Sequence, residues 1–421
     1  YWGRPHDYLW LATTSPALIY TEMKRAYEHG ADRLWILNVG DLKPGEYLTE
    51  FFLDMAWDIH FCEHDSSVFS HLERWAEREF GKKNAKGITV VMKEYYRLGT
   101  IRKPEFMGWS RVEEPGYGRG GITPVRDTEY NPDFNNELQR RIDDYRAIEK
   151  QVSVIKGNMA DYKKSAFFQL VEYPVRGSSL MNRKWLYAQL ARQYSRLDIE
   201  TAKKYADASL EAYYDIRRIT EEYDRMENGK WKYMMNFHPR DLPVFGKPDF
   251  RELDSLINVG YKPISSVKDK MAERPFVLAK NASQAIEADR SGKIIEGLGH
   301  SFSAVQMRQG ELLTFTFEIP ASGEYWIKIG TLPNHDVDGQ GMKIALSIEG
   351  KDIGEFDYRT IGRSETWKEN VLRGQAVTTV DHYFSHPGKV TISVKALTPY
   401  IILDQIMIGQ GPRNFYEFPV R

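Results

Sequence analysis

Near residue 275 the spacing of apolar side chains changes period, and that change constrains the fold more than any other feature. Before it, apolar residues recur every three or four positions, the spacing of one buried helix face. After it they alternate, as in Phe315-Thr316-Phe317-Glu318-Ile319, which suits a strand with one wet side. A chain of 421 residues exceeds one ordinary core. A multidomain α+β chain is therefore expected.

Three parts are predicted: 1–132, 133–274 and 275–421. In the first, Ser15 suits an N-cap and Pro16 the opening helical position, where no amide donor is needed. Arg33-Leu34-Trp35-Ile36-Leu37-Asn38-Val39 is an apolar run that reads as a buried parallel strand. Helices are expected over about 46–59, 65–80 and 85–98. Helix, strand, loop, helix is the rhythm of an α/β barrel or a doubly wound sheet. The Gly- and Pro-rich stretch 104–132 reads as a surface loop or linker, with a functional rim loop as the alternative. The second part predicts helices over about 134–157, 160–172, 180–196 and 198–227, a bundle. Pro174 and Gly177 are expected to separate the middle two. In the third, runs such as Lys343–Ile348 and Ile401–Ile408, punctuated by Gly310, Gly323, Gly350 and Gly388, predict a β-sandwich.

Charge narrows the function. With 58 Lys+Arg against 59 Asp+Glu the formal charge is -1, which argues against nucleic acid as a partner. No apolar run reaches the roughly 18 residues that a membrane span needs. The single cysteine, Cys62, allows no internal disulfide, and no Cys/His spacing resembles a zinc site, so neither metal nor cofactor is expected. Residue 1 is Tyr, and no charged-then-apolar leader follows it. A trimmed precursor, or a start inside a larger polypeptide, is the expectation.

Candidate chemistry gathers around the 33–39 run. In an α/β barrel, functional groups sit at the C-terminal ends of strands. Asn38 lies near such an end; it either satisfies backbone groups or serves a site. Asp41 in the next loop either caps the following helix or binds a hydroxyl, and Lys43 reads as solvated. The opening Tyr1-Trp2-Gly3-Arg4-Pro5-His6-Asp7-Tyr8 mixes aromatic, polar and cationic groups, as sugar sites do. Glu46, Glu50 and Asp54, four residues apart, read as one solvated helix face. No nucleophile elbow or P-loop is present, and the glycine spacing of Gly116–Gly121 lacks the strand that a dinucleotide fingerprint requires.

Several of these segments resemble glycoside hydrolase family 115, the xylan α-glucuronidases. They are Tyr1–Trp10, Asp32–Pro44 with Glu50–Trp57, Arg102-Lys103-Pro104-Glu105, Phe168–Pro174 with Met181-Asn182, Gly229-Lys230-Trp231 with Met234-Met235, and Ile401–Ile408. The resemblance implies the C-terminal part of a (β/α)8 barrel over 1–132, then an α-helical bundle with a linker that mediates a homodimer, then a β-sandwich. It implies removal of (4-O-methyl)-D-glucuronic acid linked α-1,2 to xylose in glucuronoxylan or aldouronic oligosaccharides, with inversion. Tyr1 matches the family's site tyrosine and Asn38 its site asparagine, both as substrate-orienting groups. Arg4 stands where the family usually has Gly, and with Asp41 it is a candidate substrate-binding residue. The acid and base carboxylates are expected upstream of Tyr1, so the chain alone is expected to be inactive. A polymeric substrate implies a periplasmic or secreted protein, or an intracellular one if oligosaccharides are imported. Two other readings stay open. One is a non-catalytic carbohydrate-binding scaffold with a remnant barrel, in which Trp326 and Trp367 are sugar platforms; the other is a family member acting on a different uronic-acid glycoside.

Overall fold

The computed structural model describes residues 10–39, 42–62, 67–108, 125–262, 276–285, 292–362 and 364–420. The chain divides into two compact units, residues 1–132 with 136–271 and residues 133–135 with 272–421.

Among the described residues of the first unit, the regular elements are all helices. Helix α1 (Pro16–Glu28) begins where Ser15 accepts a hydrogen bond from the Ala17 amide and Pro16 takes the first turn. Helices α2 (Glu46–Trp57), α3 (Val68–Phe80) and α4 (Lys82–Ile101) follow, α3 lying along α4. Next come α5 (Glu137–Gly157), α6 (Asp161–Phe167), α7 (Tyr173–Tyr194), α8 (Ile199–Arg225) and the short α9 (Arg251–Asn258). Helix α7 is the axis of the unit: it packs on α8 and α5, and most of its side chains are buried all round.

Two expectations need correction. Pro174 and Gly177 do not break the helix. A single π-turn over Phe168–Glu172 joins α6 to α7, with the Tyr173 amide bonded to the Phe168 carbonyl. That wider turn accommodates Pro174, which has no amide to give and whose ring would crowd a regular α-helical carbonyl. Gly177 lies inside α7 because the Trp10 ring is seated against it; a Cβ there would stand 3.1 Å from Trp10 Cζ2. The second correction is the run over 33–39, which forms no strand. Leu34 is 76% exposed and Ile36 81%. A strand exists only beside a partner that takes its backbone groups, and the described residues place none there.

The second unit is two antiparallel sheets around one core. Its strands are β1 (Phe276–Asn281), β2 (Lys293–Glu296), β3 (Ser303–Met307), β4 (Leu312–Ile319), β5 (Gly323–Thr331), β6 (Lys343–Ile348), β7 (Lys351–Asp357), β8 (Ala376–Phe384), β9 (Gly388–Ala396) and β10 (Ile401–Gln410). One sheet runs β2-β3-β10-β5-β8, with β1 also paired to β10; the other runs β4-β9-β6-β7. Phe315 and Phe317 of β4, Ile327 and Ile329 of β5, Ile392 of β9 and Ile406 of β10 meet in the shared core. A helix, α10 (Glu365–Arg373), precedes β8.

Candidate functional site

Of the four candidate site residues, Tyr1, Arg4 and Asp41 lie outside the described residues; Asn38 is described. Asn38 is exposed, so its amide has water as a partner and needs none from the protein. An exposed Asn38 leaves no buried amide that backbone groups would have to satisfy.

Lys43, five residues on, is anchored and not solvated. Its side chain is 11% exposed, its Nζ lies 2.8 Å from Glu46 Oε1, and it stands 4.3 Å from the centre of the Trp231 ring. The ring's negative face and the carboxylate together hold the ammonium. Gln169, at the π-turn, donates to the same Glu46 oxygen. Glu46 thus accepts two donors, and the loop entering α2 is tied at once to the π-turn and to the segment after α8. Its carboxylate is a strut, committed within the fold.

The rest of the α2 face differs from expectation in the same sense. Glu50 takes the Arg78 guanidinium through two bonds of 2.7 Å, and Asp54 lies 2.9 Å from His71 Nε2. The other His71 nitrogen, Nδ1, is 3.4 Å from the Tyr47 hydroxyl. Glu50, Asp54 and His71 gather closely enough to surround a cation. Arg78 pairs with Glu50 and also with Glu79, so part of the negative charge there is already met within the fold.

Deeper in the first unit, a cleft of about 1000 Å³ opens beside α7 and α9. Two of its cations are paired, Arg192 with Asp127 and Arg251 with Asp249. Beneath it Lys184 is fully buried, donating to the Val244 and Gly246 carbonyls, and burial drives its pKa well down.

In the second unit Trp326 is no sugar platform. It is 2% exposed, its Nε1 donates to the Gly411 carbonyl, and Phe415 packs on its ring. Trp367 sits half-buried on α10. The polar centre of this unit is Asp404, which accepts from the amides of His300 (2.8 Å) and Ser301 (3.1 Å) and from Gln375 Nε2 (2.7 Å). Burial raises its pKa against the pull of those donors. Gly299 (φ +75°) makes the arrangement possible, because a Cβ there would stand 2.2 Å from Asp404 Oδ1. Asp404 is a structural anchor that the sequence offered only as part of an apolar strand.

The model described as glycosyl hydrolase family 115 matches residues 1–106, and the family 115 C-terminal domain matches residues 279–414. The chain belongs to glycoside hydrolase family 115. A comparison with curated proteins returns no match. Among solved structures, it is similar to a family 115 4-O-methyl-α-glucuronidase with specificity for decorated arabinogalactans, at 39% identity and TM-score 0.82 over 98% of this chain. The chain spans about half (50%) of that protein's length. It also matches the C-terminal family 6 carbohydrate-binding module of a laminarinase from Zobellia galactanivorans, at 14% identity and TM-score 0.25 over 32% of this chain and 99% of the module. Likeness of that second degree carries no argument. Among the described residues no helix is long and apolar enough to cross a membrane.

Proposed function

We propose that this chain is part of a glycosidase that releases (4-O-methyl)-D-glucuronic acid from a polysaccharide side chain, with glucuronoxylan bearing α-1,2-linked uronic acid as substrate. The observation that carries the proposal is 39% identity to a 4-O-methyl-α-glucuronidase along nearly the whole chain. In an inverting reaction one carboxylic acid protonates the leaving sugar oxygen, while a second carboxylate activates a water on the opposite face. The acid and base are assigned to sequence upstream of Tyr1. Tyr1 and Asn38 are assigned to orienting the uronic acid or the water, and Arg4 and Asp41 to binding the substrate. The bundle is assigned to a homodimer interface, and the periplasm or exterior to the site of action.

A second reading has its own support: the relative is specific for decorated arabinogalactans, so the backbone carrying the uronic acid is equally open to being galactan. Uronic acid release by the full polypeptide, measured on glucuronoxylan and on decorated arabinogalactan side by side, separates the two. Asn38→Ala is expected to lower kcat/KM at least ~100-fold, about 3 kcal/mol of lost transition-state stabilisation. Unchanged turnover on both polysaccharides would remove Asn38 from the site.

A further inference from the structure

The second unit carries a cleft of about 500 Å³ whose chemistry the glucuronidase reading does not use. Three separate segments build it: the start of β2 at Lys293, the β3–β4 turn at Arg308 and Glu311, and the entry to β10 at Pro399 and Tyr400. Strand register fixes which way the side chains point. Val305 and Met307 of β3 enter the core, so Gln306 between them faces outward. Lys293 is the register partner of Gln306 and shares that outer face.

Charge among the described lining residues is unbalanced. Neither Lys293 nor Arg308 has an ion-pair partner among the described residues. The one carboxylate among the described lining residues, Glu311, is turned onto the Arg308 backbone amide at 2.7 Å, where it closes the turn. Gln309 is committed to the Leu397 carbonyl, whereas the Gln306 amide bonds nothing among the described residues. Tyr400 lines the cleft from a left-handed backbone conformation (φ +63°), a strain a non-glycine residue adopts only where its surroundings hold it there. An aromatic ring, an uncommitted amide and two unpaired cations around one hollow match a sugar that carries a carboxylate. The ring serves the C–H face, the amide a hydroxyl, and the cations the charge.

We propose that this cleft is a second, non-catalytic binding site for a uronate sugar, with Lys293 and Arg308 holding the carboxylate, Gln306 a hydroxyl and Tyr400 the ring. The proposal does not rest on the catalytic reading. Its test is calorimetric titration of the full chain with an aldouronic xylo-oligosaccharide, with free D-glucuronate, with neutral xylo-oligosaccharide and with inorganic sulfate. The aldouronic oligosaccharide is expected to bind, and free glucuronate to bind more weakly at the same site. Neutral oligosaccharide and sulfate should bind at least ~10-fold more weakly than the acidic sugar, and the acidic sugar's affinity should fall as salt rises. Lys293→Ala and Arg308→Ala, both at exposed positions, should each weaken binding ~10-fold, and the double variant should abolish it. Tyr400→Asn keeps a residue that tolerates the left-handed backbone and removes the ring; it too should weaken binding. Asn38→Ala should leave all of this unchanged, which separates the cleft from the catalytic reading. No binding of acidic sugar, binding that survives the double variant, or equal binding of sulfate would each overturn the proposal.

Discussion

Arg141 shows how one side chain sets the geometry of several elements. It is 1% exposed, and its guanidinium reaches the Leu98 and Arg102 carbonyls at the C-terminal end of α4, the first of which also accepts from the Arg102 amide. Its Nε donates to Asn182 Oδ1 on α7 at 2.7 Å, and its Cζ stands 5.2 Å from the centre of the Tyr130 ring and 5.3 Å from that of Tyr145. A planar fork serves both sides at once; an ammonium on a single stem does not. Arg141→Lys is therefore expected to cost about 1–3 kcal/mol, the penalty for orphaning a buried acceptor. Urea denaturation followed by circular dichroism measures it, and a midpoint equal to wild type would refute the bridging role.

At the scale of elements, Gly87 of α4 and Gly177 of α7 make opposite predictions. In α4, a Cβ on Gly87 would meet only the Ile155 side chain, at 3.4 Å, so Gly87→Ala is expected to stabilise by up to about 1 kcal/mol of helix propensity. In α7, Gly177→Ala gains the same propensity but drives a methyl into Trp10, whose ring is held by its 2.9 Å bond to the Tyr173 hydroxyl. Overpacking of about 1–3 kcal/mol should cancel or exceed the gain. Thermal melts of the two variants should move in opposite directions or, at the least, only Gly87→Ala should rise. The same residues show what was legible in the sequence. Caps and periods were: Ser15 and Pro16 open α1 as expected, and Lys343–Ile348 is a strand with the expected bounds. Gly177 was misread because the ring that needs it comes from the far end of the chain. Strand β7 was missed because, at the end of its sheet, it is polar and mostly exposed and shows no apolar alternation. Lys43 was misread for the same long-range reason: Gln169, which shares its Glu46, lies 123 residues beyond that carboxylate. The run at 33–39 carried the composition of a strand, but composition does not supply the neighbour that makes one.

Across the whole molecule, buried phenols set how the fold responds to alkali. Tyr47, Tyr95 and Tyr96 in the first unit have pKa values pushed well up by burial, and Tyr145 and Tyr173 are pushed up to about 12, also chiefly by burial. In the unfolded chain these groups titrate near 10.0. Their protonated form is favoured by folding, so their contribution is complete below pH 10 and is lost as pH rises from there through the folded values. Above pH 10 the unfolded state holds fewer protons than the native one, and each phenol subtracts up to about 1.4 kcal/mol per pH unit. Lys184 works the other way. Its folded pKa is depressed, so stability gained from it grows with pH only up to the unfolded lysine value of 10.5 and is flat beyond. Nothing from Lys184 then opposes the phenols, and several of them acting together exceed the 5–15 kcal/mol that holds a typical domain folded within two to three pH units. In the second unit Tyr325 is also raised, again by burial. The helical unit should therefore unfold cooperatively between about pH 10 and 12. Tyrosinate absorbance and helical ellipticity are expected to change in one shared step. Gradual tyrosinate formation around pH 10 with the helix signal intact would show that these rings are open to solvent, and the close packing around α7 would have to be redrawn.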